Sequence, residues 1–337
     1  METEQNAASA DVAALEQRVL QGELLDKAAV LPLIQAPLEP LCAAADRIRR
    51  HFCGSCFDLC TIINAKSGRC SEDCRFCAQS ARYATGAEEY PLLDAQEIAD
   101  RAVSDGRRGV LRFSLVTSGR SLSEAEVDAA CAAIRRIRAQ SDIHVCVSMG
   151  LLDEARCRRL RQAGADRVHN NLEASPRYFP QVCTTHTHAD KLAAIRAARA
   201  AGLGVCSGGI LGMGETMEDR IDLALCVRGL GVKSMPVNML NPIPGTPLAQ
   251  QPRLSEDELR RSIAIFRFLL PDAAIRMAGG RGLLPDHGRR CFVSGANAAI
   301  TGDMLTTAGY TVESDLRMLR ELGYVPGRLD ENSAGGQ

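Results

Sequence analysis

The chain has 337 residues, 46% hydrophobic and 24% charged, with 29 Gly, 14 Pro, no Trp and a formal net charge of −1. That length can bury one large core, and a barrel of about 250 residues with extensions would account for it. Acidic and basic residues interleave rather than forming a stripe, which argues against a nucleic-acid partner, and no apolar run is long enough to span a membrane.

Residues 11–51 read as two or three helices, interrupted near Pro32 and Pro37. From there β-type runs alternate with helical ones. The expected strands are 59–65, 110–117, 144–148, 167–170, 204–208, 234–238, 274–277 and 297–301. Helical periodicity occupies 95–105, 123–140, 153–163, 189–201, 216–229 and 255–270, several of these opening on Ser, Asp or Thr and closing on Gly. Eight β-α units predict an α/β fold, a (β/α)8 TIM-type barrel with right-handed crossovers. The predicted division is an N-terminal helical extension at 1–51, the barrel at 52–326, and a polar, Gly-rich tail at 327–337 expected to be disordered.

The first strand leads into Gly68-Arg-Cys-Ser-Glu-Asp-Cys-Arg-Phe-Cys, a C-x3-C-x2-C run. Cys70, Cys74 and Cys77 offer three thiolates, whereas a structural zinc takes four closed ligands. A [4Fe–4S] cluster on three cysteines keeps one iron open to a further ligand. Gly68 before the first cysteine and Phe76 before the last are what enzymes that cleave S-adenosylmethionine reductively carry at this motif. In a barrel, the loop after strand one lies at the C-terminal mouth, where barrel enzymes keep their active sites. Cys60, Cys146, Cys206 and Arg276 fall on strands one, three, five and seven. Alternate strands fill one interior layer, so a second metal site inside the barrel is expected.

Fourteen cysteines in a chain that opens Met-Glu-Thr-Glu-Gln, without an apolar signal segment, point to a reducing cytoplasm and metal-bound thiols rather than disulfides. Cys42, Cys131, Cys157, Cys226 and Cys291 sit in apolar or helical contexts and read as packing. Cys53 and Cys56 form a C-x2-C with no second pair nearby, so loose thiols and a metal role stay open. His186 and His188 read as surface or supporting residues rather than ligands.

Further runs carry a family resemblance: Asn64-Ala-Lys-Ser-Gly-Arg-Cys, His169-Asn-Asn-Leu-Glu, Cys183-Thr-Thr-His-Thr, Val205-Cys-Ser-Gly-Gly-Ile-Leu-Gly-Met-Gly-Glu-Thr, Pro236-Val-Asn-Met-Leu, Ile275-Arg-Met-Ala-Gly-Gly-Arg and Ser294-Gly-Ala-Asn. In this order over 59–301, they make the chain resemble the biotin synthases of the radical S-adenosylmethionine superfamily. The resemblance implies sulfur insertion between two unactivated carbons of dethiobiotin. It also implies a reductant that splits S-adenosylmethionine to methionine and a 5′-deoxyadenosyl radical, the cofactor supplying the hard step and the protein aiming it. By the same resemblance Phe76 lies beside the adenine, the segment 208–215 runs along the cofactor, and Asn171 and Glu173 bond its ribose or amino acid end. Lys191 stands where the family usually has Arg, which keeps the charge and loses the bidentate fork. Asn171 and Asn238 are candidates for the ureido ring of dethiobiotin, since an amide side chain presents both a donor and an acceptor.

The sulfur donor of the familiar biotin synthases is a two-iron cluster on three cysteines and an arginine. Cys146, Cys206 and Arg276 match three of those positions, but Arg112-Phe113-Ser114 places Ser where the fourth has Cys. Cys60 and Cys183 are additional. Four thiols, Cys60, Cys146, Cys183 and Cys206, suit a four-iron auxiliary cluster, with [2Fe–2S] as the alternative. The implied partners are a low-potential electron donor such as flavodoxin or ferredoxin and a second copy in a homodimer. The competing functions are a hydrogenase-cluster maturase or a methylornithine-forming mutase of the same subgroup, and, from a different class, a non-catalytic iron–sulfur or metal carrier.

Overall fold

Ten strands and eleven α-helices follow one another in the computed structural model, which describes residues 2–302 and 310–329. Helices α1 (Glu2–Leu20), α2 (Lys27–Val30) and α3 (Leu38–Cys53) precede β1 (Cys56–Lys66). Then come α4 (Ala95–Arg107), β2 (Arg112–Thr117), α5 (Glu124–Gln140), β3 (His144–Ser148), α6 (Glu154–Ala163) and β4 (Arg167–His169). The chain continues through α7 (His188–Ala200), β5 (Gly204–Cys206), β6 (Gly209–Leu211), α8 (Met217–Gly229), β7 (Ser234–Met239), α9 (Glu256–Leu269) and β8 (Ala274–Met277). It closes with α10 (Arg289–Phe292), β9 (Ala298–Ile300), α11 (Val312–Glu321) and β10 (Val325–Pro326).

Local chemistry explains the helix boundaries. Ser123, Thr187 and Thr216 each close a reciprocal capping box with the acidic residue three positions on, satisfying backbone donors that an open helix start leaves bare. On α5 the buried residues Val127, Ala130, Ile134 and Ile137 recur at helical spacing and face the sheet. Burying four such side chains contributes several kcal/mol, at about 25 cal/mol per Å² of apolar area. Helix α3 turns Leu41, Ala44, Ala45 and Ile48 inward against α9, and Glu39 reaches Arg260 at 2.8 Å, so the N-terminal helices brace the barrel.

The strands pair in parallel in the order β5-β4-β3-β2-β1-β9-β8-β7-β6. The two ends of that path are halves of one stave. Asn170 N donates to Cys206 O on one side and Ser207 N to Ser234 O on the other, so the sheet curls back on itself as a TIM-type barrel. All eight expected strands are present. The fifth, expected as one run, breaks at Ser207–Gly208 because neighbouring backbone crowds it. A Cβ on Gly208 would lie 1.9 Å from Pro236 O, and one on Gly209 2.3 Å from Glu173 O.

Strand β10 was not expected. It pairs Val325 and Pro326 with Cys56 and Phe57 of β1, below the barrel. Of the tail expected at 327–337, residues 330–337 lie outside the described residues. Among the described residues no helix is long and apolar enough to cross a membrane.

Candidate metal centres

The loop after β1 carries Cys70, Cys74 and Cys77, all half-buried. Its own backbone shapes it. Cys70 N donates to Gln79 O, Ala81 N to Cys70 O, and Cys77 N to Cys74 O at 2.9 Å. Gly68 starts the turn at φ 76°, and a Cβ there would lie 2.6 Å from Glu89 Cγ. The two carboxylates between the first cysteines face inward to the segment after β4. Asp73 accepts from the backbone N of Thr184 at 2.8 Å and of Thr185 at 3.1 Å. Glu72 accepts from Thr185 Oγ1 at 2.8 Å and from Arg120 at 3.2 Å, and lies 2.5 Å from His186 Nδ1. Hydrogen bonds from Thr184, Thr185 and Cys183 overcome burial and hold Asp73 well below the usual carboxylate range.

Around this loop the residues expected at the cofactor gather. Phe76 packs against an apolar cluster of Ala174, Val182, Met213, Leu240 and Leu248. Glu173, in a left-handed backbone conformation at φ 66°, buries Oε2 with no hydrogen-bond partner among the described residues. Burial raises its pKa, and the charge of half-buried Lys191 opposes that rise. An orphaned carboxylate oxygen facing a cation at a thiol-lined mouth fits the amino acid end of S-adenosylmethionine, and three thiols on one loop fit an iron cluster with an open site. Burial pushes the Cys77 thiol up to about 11, so ionisation there calls for a metal.

Asn171 and Asn238 are both engaged by backbone. Asn171 Oδ1 accepts from Gly208 N at 3.1 Å. Asn238 Nδ2 donates to Gly209 O at 3.0 Å while its Oδ1 accepts from Gly279 N at 2.8 Å. These bonds anchor the broken fifth stave and leave one amide hydrogen of Asn238 for a ligand.

Inside the barrel, alternation along β1 turns Asp58 and Cys60 to the same face. The register places Arg112 of β2 beside Cys60, Ser114 of β2 beside Cys146 of β3, and His169 of β4 beside Cys206 of β5. Cys60, Cys146 and Cys206 are all buried, and Arg276 of β8 lies close enough for its charge to act on each of them. Burial raises the Cys60 and Cys146 thiols. At Cys206 burial also acts upward, but the hydrogen bond with His169 and the charges of Arg276 and Arg167 outweigh it and bring the thiol to about 7.

Arg276 is already occupied. Its Nη2 donates to Asp58 Oδ1 at 2.9 Å and its Nη1 to Asp58 O at 2.8 Å, while Arg112 Nε bonds Asp58 Oδ2 at 2.9 Å. One carboxylate thus pins two buried guanidinium groups beside the thiols.

The placement of Cys183 corrects the four-thiol grouping. Its Sγ lies 3.1 Å from Asp73 Oδ1 and 3.2 Å from His186 Nδ1, and it neighbours Cys74 at the mouth rather than the interior three. The physical reason is the bonding of Asp73 to the 184–185 backbone, which draws this segment onto the cysteine loop. His186, read as a surface or supporting residue, is in fact 6% exposed. Cys53 is buried at the end of α3, 3.6 Å from the Arg267 guanidinium, and Cys56 begins β1. Asp58, Arg112, Arg167 and His169 line the same interior and are not among the residues expected from sequence. The available signal was their even spacing from Cys60, Ser114 and one another on strands with a single inner face.

The radical SAM superfamily family model matches residues 65–227, and the Biotin and Thiamin Synthesis associated domain matches 236–325. A biotin synthase of Brachyspira hyodysenteriae is 54% identical over 310 residues, covering 92% of this chain and 93% of its own. One from Akkermansia muciniphila is 55% identical, covering 92% and 97%. Biotin synthase 2 of Corynebacterium diphtheriae is 55% identical over 92% and 94%. Methylornithine synthase shares the fold at a TM-score of 0.81 and 20% identity, covering 94% of this chain and 98% of its own. The hydrogenase maturase HydG does so at 0.80 and 16%, covering 97% and 78%.

Proposed function

The chain belongs to the biotin synthase family of radical S-adenosylmethionine enzymes, and from that premise we propose which of its residues carry the sulfur insertion into dethiobiotin. When bound, the [4Fe–4S] cluster and S-adenosylmethionine supply the carbon radical, and an auxiliary iron–sulfur cluster supplies the sulfur. Cys70, Cys74 and Cys77 hold the first cluster. Phe76 offers its ring to the adenine, and Glu173, Lys191 and Asn171 orient the ribose and amino acid end. Asn238, and Asn171 beside it, meet the ureido ring.

Cys60, Cys146 and Cys206 hold the auxiliary cluster, with Ser114 and Arg276 on the same interior layer. With Cys183 at the mouth, the thiol count behind a four-iron cluster falls to three, and the nuclearity is decided by spectroscopy. Arg112, Arg167 and Arg276 place positive charge beside an anionic thiolate set, which lowers the cost of burying it. The observation that carries this reading is the sorting of six thiols into two groups, one at the mouth and one in the interior of the same barrel.

In this division of labour the helices of the N-terminal extension, α1 and α3, brace the barrel. A flavodoxin- or ferredoxin-like protein is the proposed reductant, supported by the half-buried, mouth-facing cysteine loop. A homodimer is proposed on family resemblance. The testing experiment gives reconstituted protein dethiobiotin, S-adenosylmethionine and a low-potential reductant without oxygen. Biotin should form with about two 5′-deoxyadenosines per product, one for each hydrogen removed. Cofactor cleavage indifferent to dethiobiotin, with no biotin by mass spectrometry, would contradict the reading.

A further inference from the structure

Beside the mouth loop lies a donor set that shares only Cys74 with the radical cluster. Cys74 Sγ, Cys183 Sγ and a ring nitrogen of His186 all lie within 4.8 Å of one another. Cys183 is 3% and His186 6% exposed. Asp73 Oδ1, held by the backbone N of Thr184 and Thr185, lies 3.1 Å from Cys183 Sγ and fixes its place. His186 Nδ1 lies 3.2 Å from Cys183 Sγ and 2.5 Å from Glu72 Oε2, so this nitrogen faces both the thiol and the carboxylate, and Glu72 releases it when it ligates. His186 Nε2 is buried without a hydrogen-bond partner among the described residues.

We propose that in the cluster-free chain Cys74, Cys183 and His186, with a water as fourth ligand, form a mononuclear site for a divalent, borderline-soft ion such as Fe2+ or Zn2+. Two thiolates and an imidazole are a donor set that such ions select. With metal–sulfur bonds of about 2.3 Å, a tetrahedron spaces its ligand atoms by about 3.5–3.8 Å, so the trio closes onto an ion through small side-chain movements. Binding displaces the thiol protons to solvent and leaves the metal's oxidation state unchanged.

The site and the radical cluster both require Cys74, so they exclude one another. A metal held here marks a chain awaiting its cluster, and a tightly held Zn2+ blocks cluster assembly. Exclusivity rests on Cys74 being a cluster ligand; the binding itself does not.

The test uses the full-length, reduced, cluster-free protein titrated with Co2+ without oxygen. One equivalent should bind with thiolate-to-cobalt charge transfer and tetrahedral ligand-field bands. Cys183→Ala and His186→Ala should each weaken binding by roughly 100-fold, with circular dichroism checking that both variants fold. Cys70→Ala and Cys77→Ala should leave the signal intact, and cobalt-loaded protein should take up the radical cluster only after chelation. The proposal is overturned if no cobalt binds, if the signal survives both Cys183→Ala and His186→Ala, or if it falls equally with Cys70→Ala and Cys77→Ala. Cobalt retained beside a complete radical cluster would overturn the exclusivity. If cobalt behaves as expected while the reconstituted enzyme never cleaves S-adenosylmethionine, the cluster reading has failed and the metal site stands.

Discussion

The thiols at the barrel mouth and those in its interior differ first in what holds them. Cys70, Cys74 and Cys77 ride on a loop tied by its own backbone and by two carboxylates to the segment after β4. Cys60, Cys146 and Cys206 project from alternate strands, β1, β3 and β5, of a parallel sheet, near Asp58, Arg112 and Arg276. A loop can admit a cofactor and an electron donor, whereas a strand interior excludes water and fixes geometry. On the proposed assignment, one barrel separates radical generation from sulfur donation by depth, so changes in the two regions should fail differently.

The largest effect should come from the mouth. Cys70→Ala, Cys74→Ala or Cys77→Ala should abolish 5′-deoxyadenosine and biotin together while the barrel still folds, because the loop lies outside the core. Anaerobic assays with circular dichroism check both halves, and normal cofactor cleavage by any of the three would break the comparison. Next come the interior thiols. Cys60→Ala, Cys146→Ala or Cys206→Ala should stop biotin formation while some cofactor cleavage persists, a split read by chromatography of the two products.

Asp58→Ala sharpens the contrast through stability instead of chemistry. Removing the carboxylate strands two buried guanidinium groups and should cost about 3–5 kcal/mol in denaturant unfolding. The charges of Arg276 and Arg112 hold the Asp58 carboxyl below its usual range despite burial. Its stabilisation is therefore complete above the ordinary aspartate value of about 4 and is lost as pH falls through the lower folded value. The smallest effect is expected at Ser114. Although it stands beside Cys146, Ser114→Ala should leave the iron content unchanged, since three thiols remain.

The barrel was legible because strands buried on both faces read as short apolar runs, and capped helices separate them. The break in the fifth stave was not, because it depends on Pro236 O and Glu173 O approaching Gly208 and Gly209 from elsewhere in the chain. Strand β10 is two residues long and carries no period to read. The mouth cysteines announced themselves by spacing within one loop, and Cys60, Cys146 and Cys206 by strand parity. The place of Cys183 beside the mouth loop is not legible in the sequence, because it follows from Asp73 bonding the backbone of Thr184 and Thr185, more than a hundred residues away in the chain. Asp58 escaped notice because a single charge inside an apolar strand gains meaning only when its face is known.

The separation of Cys183 from the interior thiols is the claim on which the two-region account turns. Iron and sulfide analysis with Mössbauer spectra, on anaerobically reconstituted wild type, Cys206→Ala and Cys183→Ala, tests it most directly. Cys206→Ala should lose the auxiliary iron and keep the [4Fe–4S] signal, with Cys183→Ala retaining both. Loss of the auxiliary signal in Cys183→Ala, equal to that in Cys206→Ala, would contradict it.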